Sequence, residues 1–238
     1  MIWAFIQPVI TVLLYWFVFE FGLHQKVNDL RTGIEVPFVL WLMGGLVPWF
    51  YFQEALNGGT GVLDEYSYLV KKVVFQIDAL PVVKLISALF THAFFVVFML
   101  VVFAVMGFYP DLYVLQIVYY SFCMVILTAG LIYATSAVTV FFRDMKEVVS
   151  ILLQIGMWVT PIMWNFESMQ GIPKWAVLLL KLNPMYYIVS GYRDALINKT
   201  AFWEHPGLTL WFWGITLFTL WAGTTVFKRL RVHFADVL

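Results

Sequence analysis

Residues Leu80–Phe108 read LPVVKLISALFTHAFFVVFMLVVFAVMGF, and residues Leu112–Phe141 read LYVLQIVYYSFCMVILTAGLIYATSAVTVF. A helix needs about 20 mostly apolar residues to cross a bilayer, so each stretch predicts a membrane-spanning helix. The two are joined by Gly107-Phe-Tyr-Pro-Asp111, a short segment with the glycine and proline of a tight turn. We therefore expect an antiparallel helical hairpin that crosses the membrane twice.

The composition of the whole chain agrees with a membrane protein. Of its 238 residues, 63% are hydrophobic and 12% are charged, and the mean hydropathy is +0.88. Soluble domains carry about 25% charged residues, and a chain of this size cannot hide so much apolar surface in one core. Lys plus Arg equals Asp plus Glu, 14 of each, so no net charge points to a nucleic-acid partner.

Four more stretches have the length and composition of a span, which predicts an all-α polytopic membrane protein folded as one domain over residues 1–238. The six predicted spans are Ile2–Leu23, Val36–Leu56, Leu80–Phe108, Leu112–Phe141, Val148–Trp164 and Leu208–Phe227. The two halves of the chain do not repeat each other's hydropathy, which argues against a carrier built from inverted repeats.

The connection between the second and third spans predicts an amphipathic helix over Gly61–Gln76 that lies at the membrane interface. Apolar residues alternate there with the charged residues Asp64, Glu65, Lys71 and Lys72. Such a helix is either an ordinary solvated surface or a docking site for a soluble motor subunit. We favour docking, because the chain contains no G-x-x-x-x-G-K-[ST] loop and so no energy source of that kind.

The connection before the last span, residues 165–206, contains two apolar pieces that are too short to cross a bilayer. They are Trp175–Leu182 and Met185–Ile197, separated at Asn183-Pro184. Irregular backbone is not tolerated against lipid, so we expect a re-entrant helical hairpin that packs against protein or lines a wet cavity.

The orientation follows from the rule that Lys and Arg concentrate on the cytoplasmic side. With six spans both termini share a side, and placing them in the cytoplasm leaves eight basic residues inside and six outside. The inside set is Lys71, Lys72, Lys84, Arg143, Lys146, Lys228, Arg229 and Arg231. The outside set is Lys26, Arg31, Lys174, Lys181, Arg193 and Lys199. This orientation makes the re-entrant hairpin extracellular.

Few side chains in the spans carry an ionisable group. They are His92, with Glu20, Glu54 and Lys84 near span ends, which is too few for a typical proton- or ion-coupled carrier. The four histidines are far apart along the chain and Cys123 is the only cysteine, so the sequence predicts neither a metal site nor a disulfide framework.

Two polar stripes recur at helical spacing and are candidates for the wall of a polar passage. The stripes are Gln7, Thr11 and Tyr15 in the first span, and Ser150, Gln154, Trp158 and Asn165 in the fifth. Hydrogen bonding between helices explains such stripes equally well, and both interpretations stay open. Trp16, Trp41 and Trp158 lie deep in the spans, where they either pack or offer flat surfaces to sugar rings.

Four stretches resemble the permeases of type-2 ABC exporters and, within that group, the teichoic acid translocation permeases of Gram-positive bacteria. They are Phe141–Met145 (FFRDM), Trp158–Trp164 (WVTPIMW), Leu182–Asp194 (LNPMYYIVSGYRD) and His233–Leu238 (HFADVL). The resemblance extends over nearly the whole chain. Members of this family usually carry a basic amphipathic segment before the first span, and Met1–Pro8 does not show one.

The resemblance implies a homodimer in the bacterial cell membrane that works with two copies of a separate ATP-binding-cassette subunit. That subunit would bind Mg-ATP, and this chain would hold no cofactor, metal or catalytic site. The coupling helix that docks the ATPase would include Asp64, Glu65, Lys71 and Lys72. The first, second and fifth helices would line a passage for diphospho-undecaprenyl-linked teichoic acid, which moves from the inner to the outer leaflet.

Other functions stay open. The chain could export another polysaccharide or an amphipathic drug, or it could be a membrane-embedded enzyme that acts on polyprenyl lipids. Such an enzyme needs acids or histidines clustered at one interface, and the sequence offers only Asp64, Glu65 and Asp78. A channel or secondary carrier is disfavoured by the small number of charges within the spans.

Overall fold

A computed structural model of the chain describes residues 3–22, 27–28, 35–68, 76–164 and 171–237. Its α-helices are α1 Trp3–Trp16, α2 Phe38–Thr60, α3 Val62–Glu65, α4 Ala79–Val105, α5 Gln116–Phe141, α6 Met145–Val159, α7 Lys174–Leu182, α8 Pro184–Arg193, α9 Pro206–Arg231 and α10 Phe234–Val237. The π-helices are Phe17–Gly22 and Asp194–Asn198, and the 3₁₀-helices are Leu112–Leu115 and Phe202–Glu204. Strands β1 Val27–Asn28 and β2 Glu35–Val36 form an antiparallel pair.

Three helices within the described residues are long and apolar enough to cross a bilayer: α4, Leu112–Phe141 and α9. A shorter apolar helix covers Ile6–Glu20. The predicted all-α membrane architecture is therefore confirmed, while six spans stay a prediction. Helices α1 and α6 are shorter than a span, and α2 carries polar residues in its last two turns.

Helix α2 is the centre of the bundle. It is buried over most of its length, and it contacts α1, α4, α5, α6 and α8. A helix that is surrounded by other helices exposes little surface to lipid, so polar residues on it can face other protein groups or a cavity. The sequence predicts α2 as an ordinary span, and the structure shows that it is the helix around which the others pack.

Helices α5 and α9 cross at two glycines. A Cβ atom at Gly130 would lie 2.7 Å from the backbone nitrogen of Leu220, and one at Gly223 would collide with the carbonyl oxygen of Gly130. Helices in lipid associate through close van der Waals contact, which small residues permit. Among the described elements, α5 and α9 share the most extensive helix–helix contact.

The predicted break at Asn183-Pro184 is confirmed. Helix α7 ends at Leu182 and α8 begins at Pro184, because proline disfavours helical backbone at the residue before it. The Asn183 side chain accepts a hydrogen bond from the Met185 amide at 3.0 Å and donates one to Thr160 Oγ1 at 2.8 Å. Helix α8 is buried against α2, α5 and α9. The re-entrant position of this hairpin in a membrane stays a prediction.

The side chain of Arg193 joins α8 to α2 and to the end of α6. Its nitrogens donate to the carbonyl oxygens of Trp41 at 3.3 Å, Pro161 at 2.8 Å and Ile162 at 2.8 Å. The guanidinium carbon also lies 3.3 Å from the centre of the Trp41 ring. A Cβ atom at Gly45 would stand 2.9 Å from Nη2, so the glycine leaves the space that the guanidinium occupies. Two of the three acceptors lie in the irregular segment after α6, where backbone carbonyls have no helical hydrogen-bond partner.

Replacing Arg193 with lysine should destabilise the protein, because an ammonium group cannot donate in three fixed directions while it stacks on Trp41. Losing hydrogen bonds to a buried charge costs about 2 kcal/mol, which lowers the melting temperature of a chain of this size by roughly 4–8 °C. Thermal unfolding of the purified chain measures the shift. Arg229→Lys is the matched control, since Arg229 is exposed on α9. Equal shifts in the two variants would contradict this role of Arg193.

Candidate functional site

A cavity of about 450 Å³ lies between α1, α2 and α4, and Met157 of α6 adds one side chain to its wall. Small-ligand pockets measure about 300–1,000 Å³, so the cavity has the size of a binding site. Aromatic side chains supply part of the wall. The polar part consists of Gln7, Thr11 and Tyr15 from α1, Gln53, Glu54 and Asn57 from α2, and Thr91 and His92 from α4.

The α1 side of the cavity is the polar stripe with the four-residue spacing. Gln7, Thr11 and Tyr15 all line the cavity, because residues four positions apart share one face of a helix. The Thr11 hydroxyl donates to the Gln7 carbonyl at 2.9 Å, so it is satisfied within its own helix. The structure thus brings the three predicted residues together on one wall, and their role in a passage stays a prediction.

The α2 side is a polar turn, of which the sequence alone indicates only Glu54, as an ionisable group near a span end. Gln53, Glu54 and Asn57 are all exposed and line the same cavity. The Glu54 carboxylate accepts a hydrogen bond from the Thr91 side chain, and the Ser150 hydroxyl lies 3.4 Å from Asn57 Oδ1. Three polar residues within one turn of an apolar helix are the signal that could have found this turn.

His92 links the cavity to two more helices. The side chain is 4% exposed, and its Nε2 lies 2.9 Å from Tyr192 Oη and 3.2 Å from Ser121 Oγ. The two hydroxyl oxygens are 2.6 Å apart, so the three groups form a closed hydrogen-bonded triangle between α4, α5 and α8. Tyr192 precedes Arg193, so the cavity wall connects directly to the helix that the arginine holds.

The polar groups of the cavity lie level with the middle of α4, one of the helices long and apolar enough to cross a bilayer. Thr91 and His92 are halfway along the 27-residue helix α4, and exposed side chains beside them on that helix, such as Phe90, Phe94 and Val97, are apolar. Polar groups are costly against lipid, where no water can satisfy them. The exposed polar turn of α2 therefore requires water or a second protein surface in front of it.

The two tryptophans predicted on the first and second spans lie outside this cavity. The Trp16 indole donates to the Glu20 carboxylate at 2.5 Å and lines a smaller apolar pocket beside α1. Trp41 is buried beneath the Arg193 guanidinium, where its ring is covered. The structure explains Trp41 by this contact, and a role for either ring in a passage stays a prediction.

The predicted stripe on the fifth span is only partly near the cavity. Ser150 reaches it through Asn57, whereas Gln154 and Trp158 are exposed on α6 and do not line it. Asn165 lies outside the described residues. The described part of the stripe is thus mainly a separate exposed face of α6, and its contribution to a passage stays a prediction.

The acidic residues after α2 are paired within the chain. Asp64 Oδ2 lies 2.8 Å from Lys146 Nζ, and Glu65 Oε2 lies 2.8 Å from Lys84 Nζ. These ion pairs hold α3 against the start of α6 and the first turns of α4. Helix α3 covers only part of the predicted Gly61–Gln76 helix, and the predicted docking lysines at 71 and 72 lie outside the described residues.

A second apolar core lies at the same end of the bundle. Leu63 of α3 packs in it with Phe227 of α9 and Phe234 of α10, and Asp78 pairs with Arg231 beside it. The predicted coupling segment, the start of α6 and the C-terminal helix therefore meet at one end. An event that moves α3 reaches α4, α6 and α9 through these contacts.

The described residues contain no group of three His, Cys, Asp or Glu side chains that could hold a metal ion. The polar groups of the cavity are amides, hydroxyls, the Glu54 carboxyl and the His92 imidazole. Such groups suit a polar ligand with several hydroxyls better than a transition metal, which prefers imidazole and thiolate. The expectation that this chain binds no cofactor stays a prediction.

Residues 1–197 match the family described as ABC-2 type transporter. The O-antigen export system permease protein RfbA of Myxococcus xanthus is 26% identical over 235 residues, which are 99% of this chain and 86% of that protein. RfbA of Klebsiella pneumoniae is 25% identical over 242 residues, 100% and 86% of the two chains. The polysialic acid transport protein KpsM of Escherichia coli is 26% identical over 231 residues, 95% and 84%. With its long apolar helices, the chain therefore belongs to the ABC-2 type transporter family of multi-pass membrane proteins.

Proposed function

We propose that this chain is the membrane subunit of an ATP-driven exporter that moves a lipid-linked polysaccharide from the inner to the outer leaflet of the bacterial cell membrane. Two copies form the passage at their interface, and two copies of a separate ATP-binding-cassette subunit bind Mg-ATP and drive transport. Family membership supports the transporter class. The similar proteins named as O-antigen export permeases support a polysaccharide as the cargo.

The polar wall at membrane depth carries this proposal. In a single protomer Gln7, Gln53 and Asn57 are exposed, although much of the exposed surface around them is apolar. A two-fold axis places the same face of a second copy opposite the first. That arrangement encloses the polar residues in a shared passage and keeps them away from lipid, which a monomer in a bilayer cannot do.

Six spans with both termini in the cytoplasm complete the proposal, within one transmembrane domain over residues 1–238. Lys84, Lys146 and Arg231 pair with acids at the end of the bundle that holds α3, and this end is the cytoplasmic one in the proposed orientation. The sequence alone assigns Arg193 to the outside set of basic residues, but in the structure this side chain is buried within the protein. The number of basic residues on the outside therefore falls from six to five, against eight on the inside, so the excess of Lys and Arg on the cytoplasmic side becomes larger. The hairpin of α7 and α8 is then the extracellular re-entrant element.

The identity of the exported polymer is a separate part of the proposal. The sequence resemblance favours teichoic acid on a diphospho-undecaprenyl anchor, whereas the similar proteins are named for O-antigen and polysialic acid. Teichoic acid carries phosphate in its repeating units, so the charge of the passage wall bears directly on the choice. The proposal is therefore the class of lipid-linked polysaccharides, with teichoic acid as the member that the sequence resemblance favours and polymers of neutral sugar units as the alternative within it.

A membrane-embedded enzyme is the alternative from another class, and the structure gives it little support. The acids that it would need, Asp64, Glu65 and Asp78, each form an ion pair with a basic residue. A carboxylate whose oxygen is held by a basic side chain is not positioned to take a proton from a substrate or to give one to it. The same pairs fit a coupling element, which has to transmit force.

Gentle purification of this chain from native membranes should recover an equimolar ATP-binding-cassette subunit, because the chain shows no phosphate-binding loop of its own. Depletion of the chain should trap the lipid-linked polymer on the inner leaflet. Mass spectrometry of the complex and lectin labelling of intact cells are the two measurements. Recovery of the chain alone from intact complexes, with normal surface polymer after depletion, would overturn the proposal.

Reversing the charge of Lys71 and Lys72 together, with K71E and K72E, should separate ATP hydrolysis from export, since these residues belong to the proposed docking segment. Export should fall at least about tenfold, the effect of placing like charges across a docking surface. Surface polymer and ATPase activity are measured in the same membranes. Lys174→Glu is the control, because Lys174 is exposed at the start of α7. Normal export in the double variant would contradict the assignment of this segment as the docking site for the ATPase subunit.

A further inference from the structure

We propose that the cavity between α1, α2 and α4 is a subsite for an uncharged sugar unit of the cargo, and that Glu54 discriminates against units that carry phosphate. The inference rests on the proposed function and names what the site accepts. It also makes a choice between polymer classes, because it favours neutral repeating units over the phosphate-bearing units of a teichoic acid.

The hydrogen-bonding groups of the cavity match sugar hydroxyls. The amides of Gln7, Gln53 and Asn57 each donate and accept, and the Tyr15 hydroxyl does both. A sugar hydroxyl also donates and accepts, so it can satisfy these groups in pairs. Sites built to bond hydroxyls reject ligands that leave their polar groups unpaired.

Aromatic rings supply the other half of a sugar site. Tyr15 and Phe50, both partly exposed, line the cavity together with the polar residues, and the buried rings of Tyr51 and Phe95 lie behind them. A sugar ring has an apolar C–H face as well as hydroxyls at its edge, and flat aromatic faces bury such a surface well. The volume of about 450 Å³ suits a monosaccharide or a short oligosaccharide.

The charge of the wall selects between sugar units. None of the described lining residues is Lys or Arg, and Glu54 contributes an acid. Lys84, which precedes the cavity residues on α4, is paired with Glu65. His92 has its Nε2 bonded to two hydroxyls. A phosphate that enters therefore loses water without gaining a cationic partner.

Neighbouring helices hold the polar wall in position. Thr91 bonds to the Glu54 carboxylate from α4, and Ser150 lies within reach of Asn57 from α6. A binding site whose groups are already ordered loses less entropy when a ligand enters. The position of Glu54 is therefore set before the sugar arrives, as discrimination by charge requires.

The test compares two probes on the complex of this chain with its ATPase subunit in lipid nanodiscs. One probe is radiolabelled farnesyl diphosphate linked to N-acetylglucosamine, and the other carries one glycerol phosphate on that sugar. The diphosphate anchor is common to both, so its charge cancels in the comparison. The native complex should prefer the neutral probe by about tenfold or more, since the Glu54 carboxylate and a phosphate at close range carry like charges.

Glu54→Gln keeps the shape of the side chain and removes its charge, so it should reduce the preference to about threefold or less. Glu147→Gln, a change of an exposed carboxylate outside the cavity, should leave the preference unchanged. Asn57→Ala should weaken binding of the neutral probe by about fivefold, since it removes hydrogen bonds to the sugar.

Equal binding of the two probes by the native complex overturns the inference. An unchanged preference in Glu54→Gln, or no binding of either probe, overturns it as well. These outcomes leave the proposed function standing, because recovery of the ATPase subunit and loss of surface polymer after depletion are measured without the probes. Failure of those two measurements instead removes the proposed function itself.

Discussion

The buried guanidinium of Arg193 holds together three parts of the chain that are far apart in sequence. It donates to carbonyls of Trp41 and of the segment that follows α6, and it stacks on the Trp41 ring. A buried charge is tolerated only when its hydrogen bonds are satisfied. The contact therefore fixes α8 against the central helix, and the glycine at position 45 exists in that space because a larger residue would displace the guanidinium.

The polar and charged side chains of this protein are found in three kinds of environment. Arg193 is closed in by carbonyls, and Asp64 and Glu65 are paired with lysines at the end of the bundle. The cavity is the third case, because Gln53 and Glu54 remain exposed at membrane depth. Tyr192 connects the cavity to the Arg193 contact, because it hydrogen-bonds to His92 in the cavity wall and is the residue before Arg193. The cavity wall is thus connected to α8 through His92 and Tyr192 and, through α2, to the proposed coupling segment.

Much of the fold could be predicted because lipid imposes simple rules on the sequence. Apolar length located the three long apolar helices, proline located the break at Asn183, and helical periodicity placed Gln7, Thr11 and Tyr15 on one wall. The rest depends on contacts between distant segments. Glu54 belongs to the site because α2 packs against α4, and Trp41 is covered by a residue 152 positions away. No local pattern encodes such pairings.

The central claim is that the polar wall of α1 and α2 faces water in the membrane. The sole cysteine, Cys123, is buried, so Cys123→Ala provides a background for single cysteines. Cysteines at Thr11 and Asn57 are compared with cysteines at Leu14 and Val97, which are apolar and 58% and 61% exposed. A charged, membrane-impermeant thiol reagent should modify the first two at least about tenfold faster, because the reactive thiolate forms in water. Equally slow modification at all four positions would show that this wall meets lipid, and would contradict the account.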